Sequence, residues 1–301
     1  MNQEQTMREH LKDKKRIVIK VGSASITHPE TGDLYLRRIE RLVRVITDLK
    51  GEDKDVILVS SGAIACGRQT IGIRRRPRST AEKQAFAAVG QAKLMMTYQK
   101  LFAEYSTVAA QVLLTKSVIV NPVSRKNTCN TFEELLYLGA VPVVNENDTI
   151  STAEIAQVET FGDNDQLAAI VTALVHADLL ILLSDIDGVF SEDPKSNPDA
   201  DFIPFVPVID DTILQMGTSA SGSNVGTGGM SSKLAAARIA TDAGADMVIA
   251  KFSDADVISN IIAGRETGTL FAAHDNENFD LLEYIRSENE QESKSIPDGI
   301  D

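Results

Sequence analysis

The chain has 301 residues, 43 % of them hydrophobic, which is enough to bury the core of one large or two smaller α/β domains. Its 43 acids outnumber its 30 lysines and arginines and leave a net charge of −13. That balance argues against nucleic acid or an anionic membrane as a partner, since both are recognised through positive surface. There is no run of eighteen apolar residues and residues 1–15 are polar, so neither a membrane span nor a secretory leader is expected, and the expected location is the cytoplasm.

Strand-length apolar runs alternate with longer amphipathic stretches, the pattern of βαβ units around a mainly parallel sheet. After a polar amino-terminal extension over 1–14, RIVIKV (Arg16 to Val21) reads as the first strand, and the apolar stripe from Leu34 to Lys50 as a helix. DVILVS (Asp55 to Ser60) is a second strand, followed by a helix over Thr80 to Glu104 and a strand over Thr107 to Leu114. A helix over Thr131 to Gly139 leads into a strand over Val141 to Val144, and a further helix spans Asp163 to His176. LLILLS (Leu179 to Ser184), apolar throughout, reads as a fully buried parallel strand. The four prolines between Ser191 and Asn224 mark a loop or hairpin insertion, and a helix over Ser231 to Gly244 and a strand over Asp246 to Lys251 close the series.

The predicted architecture is a three-layer αβα sandwich with a mainly parallel central sheet, one domain over 15–273 with an acceptor lobe at about 15–175 and a nucleotide lobe at about 176–273. From Asp275 to Asp301 nine acids face only Arg286 and Lys294, so 274–301 is expected to be a solvated acidic tail. Cys66 and Cys129 lack the spacing of a zinc site or disulfide framework and read as free thiols.

Five segments carry candidate chemistry, four of them directly after predicted strands, where open α/β sheets bind ligands. Lys20 with Gly22 is either a lysine meeting phosphate or an edge lysine turned to solvent. Ser60, Ser61 and Gly62 form either a carboxylate or phosphate site at a helix start or an ordinary N-cap. The cluster from Asn145 to Thr149, with Asp163, Asn164 and Asp165 close behind, suits a small polar ligand. Ser184 and Asp185 form either a simple turn or a contact to a ribose or a metal-bearing nucleotide. The strongest segment is the glycine-rich run Gly222 to Lys233, whose amides can curl around phosphate oxygens while Lys233 adds a charge. It has neither the GxxxxGK[ST] spacing nor a complete GxGxxG fingerprint. Arg74, Arg75, Arg76 and Arg78 read as a solvated basic loop, and His28, His176 and His274 lack the spacing of a metal site or a triad.

In order along the chain, IVIKVGS, VSSGAI, AVGQ (Ala88 to Gln91), VPVVNENDT, GDND and GTGGMSSK resemble the glutamate 5-kinases of the amino acid kinase superfamily, over about Lys15 to Phe271. GTGGMSSK marks the wider superfamily of acetylglutamate, aspartate and uridylate kinases, while VSSGA and NENDT point to the glutamate member. The resemblance implies ATP-dependent phosphorylation of the glutamate side-chain carboxylate, the first step of proline biosynthesis, with Mg²⁺ bridging the phosphates. It implies that Lys20 and Lys233 neutralise the transferred phosphoryl group while Asp165 holds them in register. By the same resemblance Ser61, Asp148 and Asn164 bind glutamate, and Ser184, Asp185 and the loop Thr227, Gly228, Gly229, Met230, Ser231, Ser232 and Lys233 bind ATP. Feedback by proline, hand-over of a labile product to glutamyl-phosphate reductase and a homodimer or homotetramer are implied too. Many members carry a carboxy-terminal PUA domain, which is not expected after residue 273. Ser23 and Ser184 stand where threonine is common, and the Arg74 to Arg78 run is unusual for the family. The competing expectations are another kinase of the same fold, acting on acetylglutamate, aspartate, carbamate or a nucleotide, and a non-catalytic amino-acid sensor.

Overall fold

The computed structural model describes residues 2–28, 30–73, 75–150, 163–194, 196–219, 229–274, 276 and 279–286. The chain opens with α1 (Gln3–His10), β1 (Arg16–Val21), the short α2 (Ser23–Ile26), α3 (Leu36–Gly51), β2 (Asp55–Ser60), α4 (Ala63–Ile71) and α5 (Thr80–Ala103). There follow β3 (Ala109–Leu114), α6 (Lys116–Val120), α7 (Pro122–Tyr137), β4 (Val141–Glu146), α8 (Asn164–Leu174) and β5 (Leu179–Ser184). The remainder comprises β6 (Val189–Phe190), β7 (Phe202–Ile203), β8 (Phe205–Val206), α9 (Asp211–Ser219), α10 (Met230–Asp242), β9 (Asp246–Lys251), α11 (Asp256–Ile262) and β10 (Thr269–Phe271).

Eight strands form one sheet in the order β3-β4-β2-β1-β5-β9-β10-β8, parallel except where β10 runs against β9. Period-2 alternation sorts the strand residues between two cores. Ile17, Ile19 and Val21 pack with α3 and α11, whereas Val18 packs with α8 and α10 on the opposite face. Lys20 shares the face of Val18 and so looks toward α8 and α10. The connection β1-α3-β2 covers one face, and the route from β5 through α10 to β9 covers the other. The strand order therefore diverges between β1 and β5, and a crevice at the carboxyl ends of these strands is where such sheets hold ligands. Among the described residues no helix is long and apolar enough to cross a membrane.

The structure differs from the sequence reading in several places, among them the short helices α2 and α6, and α11 and β10, which follow the strand expected to close the series. The extension over 1–14 contains a real helix, α1, with a capping box between Asn2 and Gln5, and its Arg8 is buried. Arg8 donates to the carbonyls of Pro204, Gly268 and Thr267 at 2.8, 3.0 and 3.2 Å, tying the amino terminus to the far end of the sheet. Helix α7 begins nine residues before the expected Thr131, because Asn121 caps it through Val123 and Ser124 and Pro122 sits in its first turn. The expected insertion does contain a hairpin strand, with β7 pairing β6, yet β8 joins the main sheet against β10 and α9 follows. Finally, Ile285 is fully buried in the α8/α10 core with Phe279, Leu281 and Tyr284 against it, so packed chain continues past residue 274; residues 287–301 lie outside the described residues.

Candidate active site

Three elements bring three charges together at the crevice. Lys20 is the penultimate residue of β1, Asp165 lies in the first turn of α8, and Lys233 lies in the first turn of α10. One carboxylate is gripped from both sides: Lys20 Nζ is ion-paired to Asp165 Oδ1, and Lys233 Nζ donates to Oδ2 at 3.0 Å. Asp165 is 1 % exposed, and burial by itself would push its carboxyl up; the two ammonium groups outweigh that and hold it below the ordinary aspartate value. The cluster carries a net charge of about +1 in a nearly dry setting, which suits an incoming phosphate. Beside it, Asp163 caps α8 by accepting from Asp165 N at 2.9 Å and Gln166 N at 3.1 Å. A Cβ on Gly22 would stand 3.5 Å from Lys20 Nζ, so the backbone turn after β1 runs close to the ammonium group.

A second group, uncharged, lies over the ends of β2 and β4. The Asn164 amide donates to Ser60 O at 3.0 Å, Ser61 Oγ at 2.7 Å and Asn145 Oδ1 at 2.9 Å. Asn145 in turn donates to the buried Gln91 of α5 at 2.9 Å. Asn145 belongs to the polar cluster that the sequence offers for a small ligand, whereas Gln91, in the AVGQ segment, has no role that the sequence alone assigns. Gln91 reaches Asn145 because α4 and α5 touch backbone to backbone. A Cβ on Gly67 would meet Phe86 O at 1.8 Å, and one on Gly90 would meet Ala63 O at 1.7 Å. Those two glycines set the position of Ser61, just ahead of α4, relative to Gln91.

Of the other predicted site residues, Asp148 is half-buried beyond β4 and makes no hydrogen bond with described residues, so it is not joined to the Ser61–Asn164 network. Burial pushes its carboxyl up, with Lys83 opposing. Ser184 ends β5 and donates to the exposed Asp185 at 3.1 Å. Gly229 is the N-cap residue of α10, Met230 packs partly on the α8/α10 core, Ser231 is exposed and Ser232 Oγ donates to Gly229 O at 2.9 Å. Thr227 and Gly228 lie outside the described residues. Among the described residues no group of three or more His, Cys, Asp or Glu side chains is arranged for a metal ion.

The basic run has a local purpose. Arg75 forms an ion pair with Glu82, and Glu82 also accepts from Arg78 N at 2.6 Å, so the arginines close the loop onto the first turn of α5 and hold Glu82 down at about 2. His28 stacks on Tyr35 and His274 bonds Asp242 at 2.6 Å, away from the lysine pair. Both cysteines are free, and burial raises each thiol.

Comparison with known proteins follows the same lines. The Amino acid kinase family profile matches residues 15–251. A protein of Clostridium perfringens named glutamate 5-kinase is 49 % identical over 267 residues, 89 % of this chain and 98 % of the relative. Glutamate 5-kinases of Carboxydothermus hydrogenoformans and Symbiobacterium thermophilum are 50 % and 49 % identical over 88 % of this chain, covering 70 % and 99 % of those proteins. Among solved structures, carbamate kinase from Giardia lamblia bound to AMP-PNP superposes with a TM-score of 0.61 at 13 % identity, covering 87 % of this chain and 99 % of that one. UMP kinase from Ureaplasma parvum gives a TM-score of 0.58 at 14 % identity, covering 86 % and 99 %; at such identities the likeness speaks for the fold. With a family profile over residues 15–251 and relatives at 49 % identity along nearly their whole length, the chain belongs to the amino acid kinase family, in its glutamate 5-kinase branch.

Proposed function

We infer that this protein transfers the γ-phosphate of ATP to the side-chain carboxylate of L-glutamate. The observation that carries the reading is the buried Lys20–Asp165–Lys233 cluster at the β1/β5 divergence. A carboxylate oxygen of glutamate attacks the γ-phosphorus as the bond from that phosphorus to the β-γ bridging oxygen breaks; ADP departs and the acyl phosphate remains. The nucleophile is already ionised at neutral pH, so no general base is required and the protein's work is positioning and charge neutralisation. In this reading Lys20 and Lys233 face the transferred phosphoryl oxygens, and Asp165 keeps both ammonium groups in register without touching substrate. Ser61, Asn164 and Asp148 receive glutamate, while Ser184, Asp185 and the segment 227–233 receive ATP.

Both Asp165 oxygens are taken by lysines, so Asp165 would not hold Mg²⁺; the exposed Asp185, which accepts from Ser184, is a carboxylate on the nucleotide side that would help to hold it with the nucleotide. When bound, Mg²⁺ would supply neutralisation of phosphate charge. The deciding experiment incubates the protein with Mg-ATP, hydroxylamine and a panel of acceptors. Glutamate should give the γ-hydroxamate; a hydroxamate from aspartate or acetylglutamate instead would reassign the acceptor, and a failure of every acceptor to consume ATP would point to a non-catalytic amino-acid sensor.

A further inference from the structure

Strand alternation places a further lysine on the ligand face of the sheet. In β5, Leu180 and Leu182 face the α8/α10 core, and in β9 Met247 and Ile249 do the same. Ser184 and Lys251 follow two residues after Leu182 and Ile249, so they share that face with Lys20. The register aligns Lys20 with Leu182, Leu182 with Ile249, and Ser184 with Lys251. Seen from Lys20, the Lys251 Cα is therefore two strand spacings across and two residues further toward the carboxyl edge, about 12 Å in all. That displacement leads past the Ser184–Asp185 turn and away from the asparagine network over β2 and β4, which lies on the other side of β1.

Lys251 is only lightly held there. Its Nζ donates to Asp187 Oδ2 at 3.4 Å, and both side chains are exposed. Phe252 N donates to Ser184 O at 2.8 Å, which fixes the end of β9 against the turn that carries Asp185 and Asp187. An exposed ion pair of this kind contributes little to stability, so a phosphate oxygen can take the ammonium group from Asp187. The Lys20–Asp165–Lys233 cluster offers a single excess positive charge, fewer than a nucleoside triphosphate brings negative ones. A lysine on a flexible four-carbon stem, one strand beyond Ser184, supplies another.

We propose that Lys251 is a nucleotide-binding residue: on binding it exchanges Asp187 for an oxygen of the phosphates that remain on the nucleotide, while Lys20 and Lys233 face the one that is transferred. The inference deepens the reading of Ser184 and Asp185 as the ATP side and rests on it. A contact to phosphates that stay behind is made alike before and during transfer, so it strengthens nucleotide binding and leaves the chemical step alone.

The test is a calorimetric titration of the full chain with Mg-ADP, beside steady-state assays with Mg-ATP and L-glutamate. Lys251→Met should weaken ADP binding and raise the ATP KM by about tenfold, the loss of one charged hydrogen bond, with kcat and the glutamate KM within about twofold. Lys251→Arg should restore most of the ADP affinity. Asp187→Asn separates this role from a structural ion pair: it frees the lysine, so ADP affinity should stay equal or rise, whereas a structural pair would make both variants lose alike. Unchanged ADP affinity in Lys251→Met, or equal losses in Lys251→Met and Asp187→Asn, would overturn the inference while the wild-type protein still binds ADP. A wild-type protein that binds no Mg-ADP would bring down the nucleotide reading first, and the role of Lys251 with it.

Discussion

Asp165 and Asp148 both lie near the carboxyl ends of parallel strands, yet their surroundings push them in opposite directions. Asp165 is buried between two lysines and held below the ordinary aspartate value; Asp148, half-buried with only the exposed Lys83 nearby, is raised. The contrast extends to their neighbourhoods. Around Asp165 the charges are matched before any ligand arrives, which is the preorganisation that phosphoryl transfer uses. Away from it, Lys116 is buried with no ion pair among the described residues, and Asp163 Oδ2 is buried without a hydrogen-bond partner. A reacting centre needs fixed electrostatics throughout turnover, whereas an acceptor pocket gains selectivity when only the right ligand satisfies it.

The largest effect should come from breaking the matched end. Asp165→Asn removes the counter-charge between two nearly buried ammonium groups, which then repel and splay. We expect kcat to fall by about 10³-fold or more, as when a preorganised electrostatic group is lost, with glutamate binding by calorimetry weakened by no more than a few-fold. Equal losses in kcat and in glutamate affinity would mean that the two ends are not separate. At the open end the supports are packing and neutral hydrogen bonds, so losses there should fall on KM. Gly90→Ala drives a methyl into Ala63 O, which should cost about 1–3 kcal/mol, lower Tm by several degrees and raise the glutamate KM more than the ATP KM, since α4 and Gln91 shift together. Gln91→Leu is milder: Asn145 loses one partner, about 1–2 kcal/mol, and the glutamate KM should rise roughly tenfold with kcat nearly intact. A change confined to the ATP KM would contradict the placement of that network.

The sequence made the matched end more legible than the open one. Lys20 stands out because a lysine interrupts an apolar strand, and Asp165 and Lys233 because each opens a helix after a distinctive run; their meeting point follows from βαβ topology. Gln91 carries no such mark, since an amide in a helix is ordinary until its partner is known. Lys116 was hidden for the same reason: nothing in TKSVIV distinguishes a buried lysine from a solvated one, and only the packing of α6 on the α8/α10 core decides it. Arg8 was missed because a polar amino terminus reads as an extension, while the carbonyls that bury it come from residues 204–268, a contact no local pattern encodes.

The opposed carboxylates also predict how activity responds to acid. Because Asp165 is lowered, it stays ionised as pH falls through the range where an ordinary aspartate protonates, so it cannot produce the first acid limb. Asp148 is raised, so in the free protein it protonates earlier on the way down. If its ionised form helps to hold the acceptor's cationic group, kcat/KM for glutamate should fall on that limb, while kcat at saturating glutamate should hold to lower pH, because the bound cation favours the ionised carboxyl. Asp148→Asn should raise the glutamate KM and flatten that limb, leaving the ATP KM alone. The stability sign is the reverse of the usual carboxylate case. A carboxyl whose folded value lies above its unfolded one favours folding when protonated, and that contribution is lost as pH rises through the folded value. Asp148→Asn should therefore leave Tm unchanged or slightly raised at neutral pH, measured without ligand. A variant that binds glutamate less well and melts lower would show Asp148 to be a structural support, and the electrostatic contrast between the two ends would fall with it.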